Sequence, residues 1–313
     1  MAAKKNIVIG SRGSQLALWQ ATHVKNIIEK HDVSLKITIK VIKTTGDRIQ
    51  NKPLFEFGGK SLFLKELEEA LRTKEIDLAV HSMKDVPADL HSDFQIAAIL
   101  KREDPRDSFV SKKYDSLLHL PKKAKVGTSS LRRQAQIKNF RPDFEVIPLR
   151  GNLETRLRKL GTQNLSAIIL AAAGLTRLGM TKRITEYLPT TLMLPGVGQG
   201  AIGVETRAGD PEIMRLVDFL NDPETVTCLT AERSFLKALG GDCRAPIAGY
   251  AEINGMTLKL TGMVATPDGR DLIRDRVEGN FREAVSLGEA LAKSLFSQGG
   301  REILRSSANY LKK

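Results

Sequence analysis

The chain has 313 residues, enough for two or three domains at about 100–200 residues each. With 41% hydrophobic and 27% charged residues it reads as globular, which excludes long disorder, and no apolar run approaches the ~18 residues of a membrane span. Its 49 Lys/Arg against 36 Asp/Glu give +13, a balance that attracts polyanions: nucleic acid, an anionic surface or an acidic small molecule.

The first strand is expected over Lys5–Gly10, followed by a Ser11-Arg12-Gly13-Ser14 loop. Leu16, Trp19, Val24 and Ile27/Ile28 set a helical period over Gln15–His31. Leu35–Ile42 alternates as a strand. Thr44–Ser61, with Gly46, Pro53 and Gly58-Gly59, reads as a long loop of the kind that is often functional. Leu62–Lys74 is helical and Ile76–Val80 a buried strand, and this β-loop-α order predicts parallel strands. Lys101–Asp107, charged and broken by Pro105, reads as a crossover between domains. The pattern then resumes: a strand ending at Val126, a helix over Ser130–Phe140, a strand over Phe144–Pro148 and a helix over Leu153–Leu160. A strand over Ser166–Leu170 and a helix over Ala171–Leu178 complete it. Leu194–Gly200 is a second Gly/Pro-rich break before a strand at Ala201–Glu205. From Asp222 the texture changes to α+β: a helix over Pro223–Leu239, three strands (Ile247–Ile253, Thr257–Val264, Asp271–Val277) and two helices (Arg282–Phe296, Arg301–Leu311).

The charge excess is local: residues 121–160 hold 11 Lys/Arg against 3 Asp/Glu. Within them, Gly127-Thr128-Ser129-Ser130-Leu131-Arg132-Arg133 lies at a strand-to-helix junction. There Thr128 to Ser130 can cap the helix, free N–H groups make an anion site, and two guanidinium forks suit carboxylates or phosphates. Arg150 and Arg156 repeat the device at the next strand end, Arg177 at a third, and Arg12 with Ser14 in the first half. Open α/β sheets bind ligands at strand C-terminal ends, so these arginines converge on an anion cleft. His81-Ser82-Met83-Lys84-Asp85-Val86-Pro87 also follows a strand end. Asp85 beside Lys84 would stay ionised and hold N–H donors or a cation, or it caps a turn before Pro87; His81 can equally be a satisfied structural histidine.

Of the two cysteines, Cys228 shares a helical face with Ala231, Phe235 and Leu239 and reads as a small buried hydrophobe. Cys243 follows Gly240-Gly241 in a loop that can present a thiol, with Arg244 favouring the thiolate. Two Cys and five His show no metal-ligand spacing, so no metal is expected. Neither a P-loop nor a dinucleotide fingerprint is present. Two cysteines and only Ile7-Val8-Ile9 as an early apolar run set the expectation of a reducing cytoplasm.

Together these motifs resemble the porphobilinogen deaminase (hydroxymethylbilane synthase) family over essentially the whole chain. The matching segments run in order: Gly10–Ala17, Gly58-Gly59-Lys60, Ala79–Pro87, Arg102–Asp107, Gly127–Arg133, Leu149–Asn152, Pro195–Gly200, and Ala231-Glu232-Arg233 leading to Cys243. The resemblance implies an α/β fold of two periplasmic-binding-protein-like domains plus a smaller C-terminal α+β domain. It places domain 1 at 1–99 and 200–218, domain 2 at 105–194 and domain 3 at 222–313, as a monomer in the cytoplasm. It implies a transferase that deaminates porphobilinogen and joins four copies on a dipyrromethane cofactor held as a thioether by Cys243. Asp85 matches the catalytic aspartate. Arg12, Ser14, Lys84, Thr128, Ser129, Ser130, Arg132, Arg133, Arg150, Arg156 and Arg177 match cofactor- and substrate-binding positions, and Lys60 and Phe63 match a mobile covering loop. Asp242 before Cys243, Arg244-Ala245 after it, and Glu56 in the loop depart from the family pattern. Two other classes fit parts of the sequence. A nucleic-acid binder fits the charge but not the 5% aromatics, and a reversible solute-binding module leaves Cys243 and domain 3 without a role.

Overall fold

The computed structural model describes residues 6–45, 64–240 and 245–310. Lys60, Phe63 and Cys243, with Glu56, Asp242 and Arg244, lie outside the described residues. In chain order the first elements are β1 (Asn6–Ser11), α1 (Gln15–His31), β2 (Lys36–Val41), α2 (Lys65–Arg72), β3 (Leu78–Ser82), a 3-10 turn at Met83–Asp85, and β4 (Phe94–Ile99). Then come β5 (Asp107–Val110), β6 (Lys125–Gly127), α3 (Leu131–Phe140), β7 (Glu145–Ile147), α4 (Leu153–Thr162), β8 (Ala167–Ala171), α5 (Ala172–Arg177) and β9 (Glu186–Tyr187). The rest comprises β10 (Ile202–Arg207), α6 (Pro211–Val217), α7 (Pro223–Ala238), β11 (Ile247–Asn254), β12 (Thr257–Ala265), β13 (Leu272–Asn280), α8 (Ala284–Ser297) and α9 (Gly300–Tyr310).

Three sheets organise these elements. The first lobe has the order β2-β1-β3-β10-β4, the second β7-β6-β8-β5-β9, and the C-terminal unit β11-β12-β13. This is the expected architecture of two α/β lobes and a smaller α+β unit. The strands of the β-loop-α units are parallel as expected, β1 with β2 and β3 and β6 with β7 and β8, while β10 runs antiparallel to both β3 and β4, and β5 antiparallel to β8. Connectivity explains it. The βα strands end at the junction of the lobes, whereas β5 and β10 begin there as the chain crosses, Asp107 opposite Ala171 and Ile202 opposite Ser82. The charged segment read as a crossover therefore ends one residue inside a central strand.

Local sequence explains most helix starts. Ser14 Oγ accepts from Ala17 N–H, Ser130 from Arg133, Asn152 from Thr155 and Asp222 from Thr225, each satisfying a donor the helix leaves free. The apolar stripe of α1 (Ala21, Val24, Ile28) buries against Ile7, Ile9 and Val80 of the first sheet, while α2 covers the other face at Ala79. In the third unit Phe235 of α7 fills the core. A Cβ on Gly262 would sit 2.6 Å from the tip of that ring, so glycine on β12 is what lets helix and sheet close. Cys228 is buried in this core, as its helical face foretold, and burial pushes its thiol up to about 12, far from thiolate chemistry. Among the described residues no helix is long and apolar enough to cross a membrane.

Candidate active site

The strand ends that face the junction gather most of the residues singled out from sequence. On the first lobe, Arg12 and Ser14 at the β1–α1 loop and Asp85 after β3 line one cavity with Gln20, His81 and Ser82. Gln20 Nε2 donates to Ser82 Oγ at 2.9 Å, tying α1 to the end of β3. Asp85 is half-buried, and its carboxylate makes no hydrogen bond among the described residues. Lys84, next to it, is half-buried too; burial brings its ammonium down to about 8, and although Asp85 opposes this, Arg133 and Arg156 of the second lobe reinforce it. Arg156 is likewise lowered to about 10 by burial and by Arg133, with Arg150 adding to the crowding. The two lobes thus set cations against one another, with Asp85 and Asp107 as the anions that oppose them at Lys84.

Arg177 stands to one side. Its Nη2 donates to Gly200 O at 2.6 Å, and burial lowers it to about 10 despite Glu103. The hydroxyls of the Thr128–Ser130 segment are engaged with backbone. Ser130 N–H donates to Thr128 Oγ1, Ser129 Oγ bridges Leu149 N–H (2.9 Å) and Leu149 O (3.0 Å), and Ser130 caps α3. They brace the turn that carries Arg132 and Arg133.

Arg132 and Arg133 are buried, and they are not open forks. Asp107, fully buried, takes Arg132 Nη1 on one oxygen at 2.7 Å and Arg133 Nε and Nη2 on the other at 2.9 and 2.7 Å. Leu194 O and Ile169 O accept two more N–H groups, and Gln199 bonds both guanidinium groups and Asp107. Four of the five donors of Arg133 are committed within the protein. Asp107 and Gln199 are not evident from the sequence: both sit in segments that look like linkers, and their side-chain partners lie 25 to 94 residues away. The one local signal is Asp107 standing directly before the short Ser108-Phe109-Val110 run.

Among the described residues no cluster of His, Cys, Asp or Glu could hold a metal. What the cleft fits is a ligand with several carboxylates, because its cations depress one another and bound anions would relieve that. Fold and cleft together define a class: a two-lobed α/β protein with a cation-rich cleft suited to a polycarboxylate, beside one carboxyl, Asp85, that makes no hydrogen bond among the described residues.

Comparison with known proteins gives the family. Residues 7–215 match the model described as porphobilinogen deaminase, dipyromethane cofactor binding domain, and residues 226–297 match porphobilinogen deaminase, C-terminal domain. The porphobilinogen deaminase of Pelobacter propionicus is 49% identical over 300 residues, 96% of each chain. That of Lawsonia intracellularis is 50% identical over 303 residues, 96% of this chain and 98% of the other. Among solved structures, the methionine binding protein MetQ covers 71% of this chain and 92% of its own at 11% identity and a TM-score of 0.45. The chain belongs to the porphobilinogen deaminase family. It is accordingly a transferase of tetrapyrrole biosynthesis, built around a dipyrromethane cofactor.

Proposed function

We propose that this chain deaminates porphobilinogen and joins four copies head to tail on its dipyrromethane, releasing hydroxymethylbilane, with the cleft residues in the following roles. Asp85 carries the reading: a carboxyl with no hydrogen bond among the described residues, set among cations, where a pyrrole N–H would land. It accepts pyrrole N–H groups and stabilises the positive charge that develops as ammonia leaves the aminomethyl carbon. The dipyrromethane, when bound, supplies a nucleophilic pyrrole α-carbon. Cys243 holds it as a thioether, and Lys60 and Phe63 belong to the loop that covers the site. Arg12, Ser14, Lys84, Arg150, Arg156 and Arg177 bind acetate and propionate side arms. Thr128, Ser129 and Ser130 shape the anion-binding turn. Arg132 and Arg133 act mainly through their field, because Asp107 and Gln199 already hold most of their donors.

The domain division at 1–99 with 200–218, 105–194 and 222–313 follows the same reading, as do a monomer, a cytoplasmic setting and no nucleic-acid or membrane partner. The strand order supports the division, since β10 joins the first sheet after the whole second lobe has been built. The test is intact mass together with Cys243→Ser. Purified protein is expected to be heavier than its sequence by one dipyrromethane, and the Ser variant to have the bare mass and to lose most of the bilane-forming rate, because a hydroxyl is a far weaker nucleophile than a thiol. Bilane formed by Cys243→Ser at the wild-type pace would overturn the assignment.

A further inference from the structure

We propose that His81 is a second catalytic residue, the base that removes the pyrrole α-proton, and that Glu205 is the positioning residue that orients it. The inference rests on the reading of the Asp85 cavity given above and goes beyond it by naming a group for a proton transfer that Asp85 alone leaves open.

The geometry comes from sheet register. Glu205 of β10 lies opposite Ala79 of β3, so its side chain shares a face with His81 two residues on, the diagonal pairing of an antiparallel ladder. There His81 Nε2 and Glu205 Oε2 meet at 2.8 Å, with Glu205 fully buried and His81 5% exposed. A sequence-level reading could leave His81 as a satisfied core histidine. Among the described residues only one of its two nitrogens has a partner. His81 lines the cavity that contains Asp85, Arg12 and Ser14, and its Nδ1 has no hydrogen-bond partner among the described residues.

With a carboxylate opposite, Nε2 is the nitrogen that carries the proton in the neutral ring, which leaves the lone pair on Nδ1. This is the arrangement of an oriented base, with an acid partner that stabilises the imidazolium once it forms. Glu205 is otherwise hard to account for. Among the described residues its Oε1 is buried without a partner, and burial plus the nearby Glu205 charge raise the carboxyl of Glu68 on α2. A buried carboxylate oxygen without a partner is uncommon in folded proteins, and functional sites are one place where such groups are kept. The charged groups facing His81 are Glu205 from β10, Glu68 from α2, and Arg12 and Asp85 from the cavity rim.

The step balances. Ammonia leaves the protonated aminomethyl group, taking the C–N electron pair, and the methylene carbon becomes electrophilic. The α-carbon of the attacking pyrrole forms the new C–C bond while still holding its hydrogen, and that ring gains the positive charge. His81 Nδ1 takes the proton, the C–H electron pair restores the ring, and the charge passes to an imidazolium facing Glu205. The imidazolium then returns the proton to the departed ammonia as ammonium, or to water.

The test uses holoenzyme, its loading checked by intact mass, with His81→Gln and Glu205→Gln. With porphobilinogen deuterated at its free α-carbon, His81→Gln is expected to lose about 100-fold or more in kcat, the scale of general-base catalysis, with KM within about threefold. A primary isotope effect larger than wild type should accompany the loss. Nitrogen-15 NMR of labelled wild-type holoenzyme is expected to show the His81 proton on Nε2 rather than on Nδ1, and Glu205→Gln to disturb that preference. A His81→Gln enzyme within threefold of wild-type kcat, or a loss of kcat with no gain in isotope effect, would overturn the proposal. A proton found on Nδ1 would do the same, and this readout decides the matter even if His81→Gln does not fold. Because loading and KM are followed separately, loss of the base can be told from failure of the cofactor or anion-site reading.

Discussion

Asp107 holds two arginines on one buried carboxyl, and this decides what those arginines can do. Burial alone would raise its pKa, yet the Arg132 and Arg133 guanidinium groups outweigh that and hold the carboxyl well below the usual carboxylate range. A group depressed in the folded state stabilises the protein fully above its unfolded value, about 3.9, and the contribution is lost as pH falls from there toward the folded value. Asp107→Asn keeps the shape but strands two buried cations, a defect that typically costs about 3–5 kcal/mol. Urea denaturation is expected to show that deficit unchanged from pH 8 down to pH 5, closing only on further acidification. A deficit under about 1 kcal/mol at pH 7, or one already gone at pH 6, would show that Asp107 is not the counter-charge described here.

At the scale of elements, the two crossings do the delicate work, and glycine makes the second possible. Gly200 has φ +93°, and a Cβ there would collide with the Glu103 carbonyl of the first crossing. Its own carbonyl accepts from Glu103 N–H at 3.1 Å and from Arg177. Gly209 is a natural control: φ is +74°, with nothing within 4 Å of where a Cβ would stand. Gly209→Ala is expected to cost about 1 kcal/mol from the left-handed backbone alone, and Gly200→Ala clearly more, because backbone must move. Thermal melts of the pair check this; equal losses would mean the crossings are not closely packed. The same crossings are where local sequence signals run out. Helices with a polar cap and an apolar stripe were legible, α1 to the residue, because both signals are local. The strand β5 was hidden by the charges of Arg102 to Asp107, and β4, Phe-Gln-Ile-Ala-Ala-Ile, was not read because alanine has little β preference. The reversed direction of β5 and β10 follows from which end of each lobe the chain enters, which periodicity does not encode. In the site, the cations were legible from their place at strand ends. Their internal pairing with Asp107 and Gln199, and that of His81 with Glu205 across 124 residues, arises only when distant segments meet.

For the molecule as a whole, the property that matters is the field between the lobes, which neither lobe makes alone. The C-terminal unit holds the hinge in place. Glu232 of α7, fully buried, binds Arg102 of the first crossing at 2.5 Å, Gly198 N–H of the second at 2.8 Å and Ala251 N–H of β11 at 2.9 Å. With the hinge so fixed, Lys84 of one lobe stands against Arg133 and Arg156 of the other, and its ammonium falls to about 8 from the usual 10.5, burial being the largest cause. The crowding has a sign that can be measured. In protein purified without the dipyrromethane, Lys84 is a free amine above pH 8, so acetic anhydride should modify it with a midpoint near 8, well below that of the exposed lysines. Carboxylates bound in the cleft favour the charged form, so loading the dipyrromethane must raise the midpoint and protect Lys84 at pH 8–9. Peptide mass mapping across pH reads both states. A midpoint near 10.5 in the unloaded protein would mean the lobes do not crowd their cations. An unchanged midpoint on loading would mean the bound carboxylates sit away from Lys84, and the anion map of the cleft would have to be redrawn around Arg12 and Arg177.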